Sequence, residues 1–180
     1  TAYLITRTDL SKCVESGAPV CNMASAYGGI RYSTGMSREF QYEKTQSRIG
    51  APPWDEPLKF IENSPIFWVE KVKTPYLSIH NDEDDAVPWY QGIEFFSALR
   101  RLGKEAYMFV YNGEPHGLRN RDNMKHWTVH QDEFFDSYLL GKPKPEWMEK
   151  GVPFLDKGKR DVTEMFRPKA ATRSSTESVS

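Results

Sequence analysis

The chain has 180 residues, 38% of them hydrophobic and 27% charged, with 24 Lys and Arg against 25 Asp and Glu for a formal net charge of −1. This composition suits a globular protein with a real core and offers no broad basic footprint for nucleic acid. Its longest apolar runs fall far short of the roughly 20 residues that span a bilayer as a helix.

The sequence opens on Thr1-Ala2-Tyr3-Leu4-Ile5-Thr6 without an initiator methionine. That opening reads as part of a helix ending before Asp9, and as a piece of a longer polypeptide cut or processed upstream. Cys13-Val14 and Gly17-Ala18-Pro19-Val20-Cys21 are small and apolar, predicting a buried strand that ends near Pro19, which cannot take a central ladder position. Cys13 and Cys21 make neither a metal-ligand spacing nor a disulfide framework and leave the redox compartment open. From Asn22 to Arg48 no period of two or 3.6 persists, although Tyr42-Glu43-Lys44-Thr45-Gln46 can form a turn of helix; such a segment is expected to cover a sheet. After the breaker Gly50-Ala51-Pro52-Pro53-Trp54, Asp55 is placed to cap a helix running through Leu58 and Ile61 and stopping before Pro65.

Tyr76-Leu77-Ser78-Ile79 is a short apolar run with strand character, followed by the acidic loop His80-Asn81-Asp82-Glu83-Asp84-Asp85-Ala86-Val87 and by Pro88, which opens a helix. That helix is predicted over 88–102, with Trp89, Ile93, Phe96 and Leu99 on its apolar stripe, Arg100, Arg101 and Lys104 near its end, and Gly103 as terminator. A second strand, 106–111, runs into Asn112-Gly113-Glu114-Pro115-His116-Gly117. A helix over 122–140 follows, with Met124, Trp127, Phe134, Phe135 and Tyr138 on one side and Gln131 interrupting the stripe. Strand, loop, helix, repeated, predicts an α/β protein with a parallel sheet and right-handed crossovers. Beyond Gly141, prolines and then Lys, Arg, Ser and Thr dominate, so residues 142–180 are expected to be extended or disordered.

Two successive strand-end loops carrying an acid and then a histidine form half of a hydrolase triad in the order Ser, Asp, His. A serine hydroxyl needs an imidazole to take its proton near neutral pH, and the imidazole needs a carboxylate to fix its tautomer and stabilise its charged form. Asp84 and His116 are separated by enough chain for one helix and one strand, as that architecture requires. Asp82, Glu83 and Asp85 read as a solvated face, since no Asp-x-Asp-x-Asp-Gly calcium loop is present. His126 and His130 share a helical spacing that zinc can use, but with no following Glu they read as helix-surface residues. His80 reads as a packing or hydrogen-bonding residue beside the acid loop. No metal and no cofactor is expected.

The patterns His-Asn-Asp-Glu-Asp-Asp-Ala-Val-Pro and Asn-Gly-Glu-Pro-His-Gly, with the Gly17-Ala18-Pro19-Val20 stretch and the Asn63-Ser64-Pro65 turn, resemble the catalytic half of the prolyl oligopeptidase family of serine peptidases, in its bacterial dipeptidyl-peptidase-like branch. The likeness covers residues 1–140. It implies the carboxyl-terminal part of an α/β-hydrolase domain over residues 1–141, a parallel sheet flanked by helices whose first strands are missing. It also implies Asp84 and His116 as catalytic residues, and a nucleophilic serine in a Gly-x-Ser-x-Gly-Gly elbow a few residues before Thr1, with the oxyanion donors upstream as well. The nucleophile is therefore not expected in this chain, which alone should be inactive. Met23, Tyr27 and Tyr32 match a region where relatives line the pocket for the residue before the scissile bond. The expected partners are a peptide substrate and the upstream part of the same polypeptide, with its elbow and a β-propeller. A periplasmic or secreted setting is favoured over a cytoplasmic one. Ala86 stands where many relatives carry a polar residue that clamps the substrate carbonyl, so proline preference and exopeptidase behaviour do not transfer. A non-catalytic binding module and a small-ester hydrolase are the competing readings.

Overall fold

A computed structural model describes residues 1–156. After a 3-10 turn at Leu4–Thr6 come β1 (Val14–Gly17), α1 (Met23–Tyr27), β2 (Ile30–Arg31), β3 (Met36–Ser37), α2 (Glu39–Glu43) and α3 (Pro57–Glu62). A second 3-10 segment, Pro65–Lys71, leads into β4 (Tyr76–Ile79), α4 (Tyr90–Arg101), β5 (Ala106–Phe109), α5 (Arg121–Leu139) and α6 (Glu146–Glu149). β1, β4 and β5 form a parallel sheet with β4 in the middle, in a register that pairs Val14 with Tyr76 and Tyr76 with Ala106. This is the expected α/β arrangement, a parallel sheet flanked by helices.

Successive side chains of a strand point to opposite faces, and a parallel sheet covered on both faces reads as a continuous apolar run. Tyr76 accordingly packs with Val14, Phe95, Leu99 and Ala106 on the α4 side, its ring edge-on to Phe95 at 5.4 Å. Its neighbour Leu77 packs with Cys13, Phe134, Trp147 and Met148 on the other face. Both cysteines are buried and unpaired. Burial pushes the Cys21 thiol well up, as suits an inert core residue.

The buried face of α4 differs from the expected stripe. Gln91, Gly92, Phe95 and Leu99 face inward, while Trp89 and Ile93 are exposed and Phe96 is only partly buried. The register rotates because the Gln91 amide is itself satisfied in the interior: its Oε1 accepts from the backbone N–H groups of Cys21 and Asn22 at 3.0 and 2.7 Å, and its Nε2 donates to Ser25 at 2.7 Å. Gly103 ends the helix at φ 67°, in the left-handed region glycine tolerates.

Three other local expectations change. Asp55 is not the cap of α3: Glu56 occupies that position without a side-chain bond, Pro57 opens the helix, Phe60 is buried, and Leu58 points to solvent. The 22–48 segment contains α1, a β2–β3 hairpin pairing Ile30 with Ser37, and α2, which begins at Glu39 rather than Tyr42. Ala26, Tyr27, Tyr42 and Phe60 form a separate small core there.

Residues 142–149 are ordered, unlike the extended end expected of 142–180. In α6, Trp147 and Met148 are buried; the indole lies edge-on to Tyr107 and Phe109 at 5.4 and 5.2 Å and donates to Glu133 at 2.6 Å. Two such side chains bury enough apolar surface to contribute about 1.5–3 kcal/mol each, which the proline-rich composition around them conceals. Lys144 adds an ion pair to Glu105 at 2.7 Å. Residues 157–180 lie outside the described residues.

Candidate active site

Parallel strands deliver their carboxyl ends to one edge of the sheet, so the loops after β4 and β5 lie side by side. Asn81, buried at the end of β4, joins them directly. Its Nδ2 donates to the Pro115 carbonyl at 2.8 Å, and its Oδ1 accepts from the Tyr111 N–H at 3.3 Å. Asp82 adds a second tie, accepting from Gly113 N–H at 2.8 Å and Asn112 Nδ2 at 2.6 Å. Asp82 is thus an anchor for the neighbouring turn, not only a solvated charge.

Asp84 is buried with its carboxylate fully engaged. Oδ1 accepts from the backbone N–H groups of Ala86 and Val87, each at 2.8 Å, in an Asx-type turn. Oδ2 accepts from His116 Nδ1 at 2.8 Å. A carboxylate only accepts, so the His116 proton sits on Nδ1 and its Nε2 carries a lone pair. The His116 side chain is 51% exposed, and among the described residues its Nε2 makes no hydrogen bond. An imidazole oriented from behind by a buried carboxylate, with its other nitrogen open, can accept a proton from a nucleophile and return it to a leaving group.

Glu114 fixes the other side of the histidine loop. Its buried carboxylate accepts from Arg119 N–H at 2.6 Å, Asn120 N–H at 3.0 Å and Asn123 Nδ2 at 2.6 Å. The Arg119 backbone bond, followed by Asn123, holds the Glu114 carboxyl below its ordinary range. Asn120 caps α5 by accepting from Asp122 N–H at 2.8 Å, so the loop runs directly into a capped helix. Sequence reading singled out neither Asn81 nor Glu114. The available signal was their proximity to strand ends, together with the Glu114…Asn120 spacing before a helix.

Asp85 is hydrogen-bonded to Ser33 Oγ of the β2–β3 turn, and that bond, aided by Arg31, holds its carboxyl below the usual range. Met23, Tyr27 and Tyr32 sit in different surroundings. Tyr27 is buried in the small core, with its hydroxyl donating to Glu43 at 2.5 Å; Met23 packs partly against the same core; Tyr32 is 89% exposed on the hairpin turn. An open cleft of about 290 Å³ instead adjoins His116, lined by Ile79, Gly117, Leu118, Met124, Trp127 and Thr128.

Among the described residues no group of three His, Cys, Asp or Glu side chains could hold a metal ion. His130 is buried rather than on the helix surface, its Nδ1 donating to the His126 carbonyl at 2.7 Å, and the His126 Nδ1 is hydrogen-bonded to Tyr111 Oη at 2.8 Å. Among the described residues no helix is long and apolar enough to cross a membrane.

The prolyl oligopeptidase family model matches residues 1–142. The chain is 25% identical over 138 residues to a probable chloroplastic glutamyl endopeptidase of Arabidopsis thaliana, covering 70% of this chain and 14% of that protein. It is 33% identical over 100 residues to the acylamino-acid-releasing enzyme of the same plant, covering 56% of this chain and 13% of that protein. The solved structure of Pyrococcus horikoshii acylaminoacyl peptidase superposes with a TM-score of 0.64 at 26% identity, covering 84% of this chain and 25% of that one. The sheet and its flanking helices match the α/β-hydrolase fold of that peptidase.

Proposed function

Because this chain belongs to the prolyl oligopeptidase family, we propose that it supplies the acid and base of a serine peptidase, Asp84 and His116, to a nucleophilic serine carried by polypeptide preceding Thr1. The observation that carries this reading is the 2.8 Å bond from His116 Nδ1 to the buried Asp84 carboxylate, with Nε2 left open at the edge of the sheet.

In this reaction His116 Nε2 takes the serine proton as the hydroxyl attacks the peptide carbonyl, and returns it to the leaving amine. Asp84 keeps the imidazole in the productive tautomer and stabilises it while it is positively charged. Its other oxygen, Oδ1, accepts from Ala86 and Val87 N–H, which hold the carboxylate still without adding positive charge. The substrate is a peptide, as the names of the relatives suggest, and the oxyanion donors and a substrate-gating β-propeller belong to the upstream polypeptide.

The test uses the full-length polypeptide and a serine-directed phosphonate. Labelling and peptide turnover should both fall at least 1,000-fold in His116→Ala, on the order expected for loss of a triad base. The 180-residue chain alone should take up no label. Stoichiometric labelling of the chain alone, or unchanged turnover in His116→Ala, refutes the proposal. Ester turnover with no peptide turnover would make the protein an esterase instead.

A further inference from the structure

We propose that His80 is a positioning residue for the reaction, a neutral hydrogen-bond donor that holds the Asp84 loop closed around its carboxylate; this rests on the acid–base roles of Asp84 and His116 proposed above.

His80 follows β4 directly and is completely buried, its backbone N–H donating to Phe109 O at 3.0 Å. Its Nε2 lies 3.0 Å from the Val87 carbonyl and 3.5 Å from Asp84 Oδ2. A carbonyl only accepts, so the ring proton is on Nε2 and points at the far end of the acid loop. One imidazole thereby ties the first residue of the loop to Val87, whose own N–H grips Asp84 Oδ1. The same N–H edge borders Oδ2, the oxygen that receives His116.

The other nitrogen shows why the ring stays neutral. Nδ1 is buried and has no hydrogen-bond partner among the described residues. It faces Gly92 in the first turn of α4, where an added Cβ would stand 2.5 Å from Nδ1 and 2.9 Å from the ring carbon Cγ. A proton placed there would have no acceptor, and burial pulls the His80 pKa below its ordinary value despite the nearby carboxylate. A cationic neighbour would compete with His116 for the charge of Asp84 as the imidazolium forms; a neutral donor orients the carboxylate and leaves that charge available. Glycine within a helix is disfavoured relative to alanine, so Gly92 is explained by the space the ring requires.

A histidine that merely filled the core would be replaceable by an apolar side chain of similar size without a specific effect on turnover. The test therefore compares His80→Leu, His80→Gln and Gly92→Ala in the full-length enzyme, with Asp84→Asn and His116→Ala as references. Glutamine can place its amide nitrogen near the position of Nε2; leucine cannot. Gly92→Ala removes no hydrogen-bonding group but pushes the ring. His80→Leu and Gly92→Ala should each lower kcat about 10- to 100-fold with KM within about two-fold, the scale of a small misplacement of a reacting group. His80→Gln should recover most of the loss. The downfield proton resonance of His116 Nδ1–H should persist in His80→Gln and broaden or shift in the other two.

Wild-type kcat in both His80→Leu and Gly92→Ala, with Asp84→Asn and His116→Ala inactive, overturns the role of His80 and leaves the proposed function standing. Equal losses in His80→Gln and His80→Leu also overturn it, because the donor is then not what matters. If His80→Leu does not fold, Gly92→Ala and His80→Gln decide between the same outcomes. Full activity in Asp84→Asn and His116→Ala instead removes the proposed function itself.

Discussion

Asn81 and Pro115 are joined by a 2.8 Å hydrogen bond from the Asn81 amide to the Pro115 carbonyl, one residue before His116. The bond crosses from the acid loop to the histidine loop, so the separation of Asp84 and His116 depends on a residue whose side chain bonds to neither of them. Asn81→Leu should leave the Pro115 carbonyl and the Tyr111 N–H without their partner, and an unsatisfied buried group costs about 1–3 kcal/mol. Urea unfolding should show a loss of about 2 kcal/mol, and kcat should fall more than KM rises. A variant with wild-type stability and turnover would show that the loops are held elsewhere.

Glu114 makes the fold acid-sensitive in a defined direction. Its carboxyl is held below its ordinary range by the Arg119 N–H and Asn123 bonds, so its stabilisation is fully present above the unfolded-state value. That stabilisation is lost as pH falls through the lower folded-state value. The stability difference between wild type and Glu114→Gln should therefore be constant above about pH 5 and shrink on acidification below the unfolded carboxylate value of about 4.3. Thermal unfolding across that range checks it; a difference that grows on acidification contradicts it.

Asp84 and Asp85 provide an internal comparison. Asp84→Asn should preserve the fold while lowering kcat about 10⁴-fold, because the amide favours the wrong imidazole tautomer. The Asp84→Asn, His116→Ala double variant should lose little more than His116→Ala alone, as triad members are not additive. Asp85→Asn, whose partner is Ser33 on the hairpin, should change turnover only modestly. The reverse pattern in steady-state kinetics would shift the acid by one residue.

Arg38 is a buried charge with a weak set of partners. Among the described residues no carboxylate pairs with it; one guanidinium nitrogen lies 3.4 Å from Tyr42 Oη, and Nε and Nη1 have no partner. Desolvating an uncompensated charge costs several kcal/mol, so Arg38→Met should be neutral or stabilising by about 1 kcal/mol or more in denaturant unfolding. A loss above about 2 kcal/mol would reveal an anionic partner for this guanidinium.

The juxtaposition of Asp84 and His116 was legible because both lie where an apolar run breaks into a polar loop, and chain order alone assigns such loops to neighbouring strand ends. The supports of those residues were not. Asp82, Glu114 and Asn81 are ordinary polar letters in turn-rich text; what distinguishes them is the backbone N–H or carbonyl that another segment brings within reach. The surroundings of Met23, Tyr27 and Tyr32 were illegible for the same reason, since Tyr27 finds Phe60 and Glu43, and Tyr32 finds solvent.

Local composition determined the strand–loop–helix order, the two-sided burial of the central strand and the positions of Asp84 and His116, since these depend on apolar runs and on residues that break them. Tertiary structure decided which face of α4 is buried, that Trp147 and Met148 return to the sheet, and that the His80 ring lies against Gly92. The physical reason is that burial of a polar side chain depends on whether distant backbone and side-chain groups meet its hydrogen-bonding demand. Gln91 is interior because Cys21 and Asn22 present their N–H groups to it, some seventy residues away in the chain.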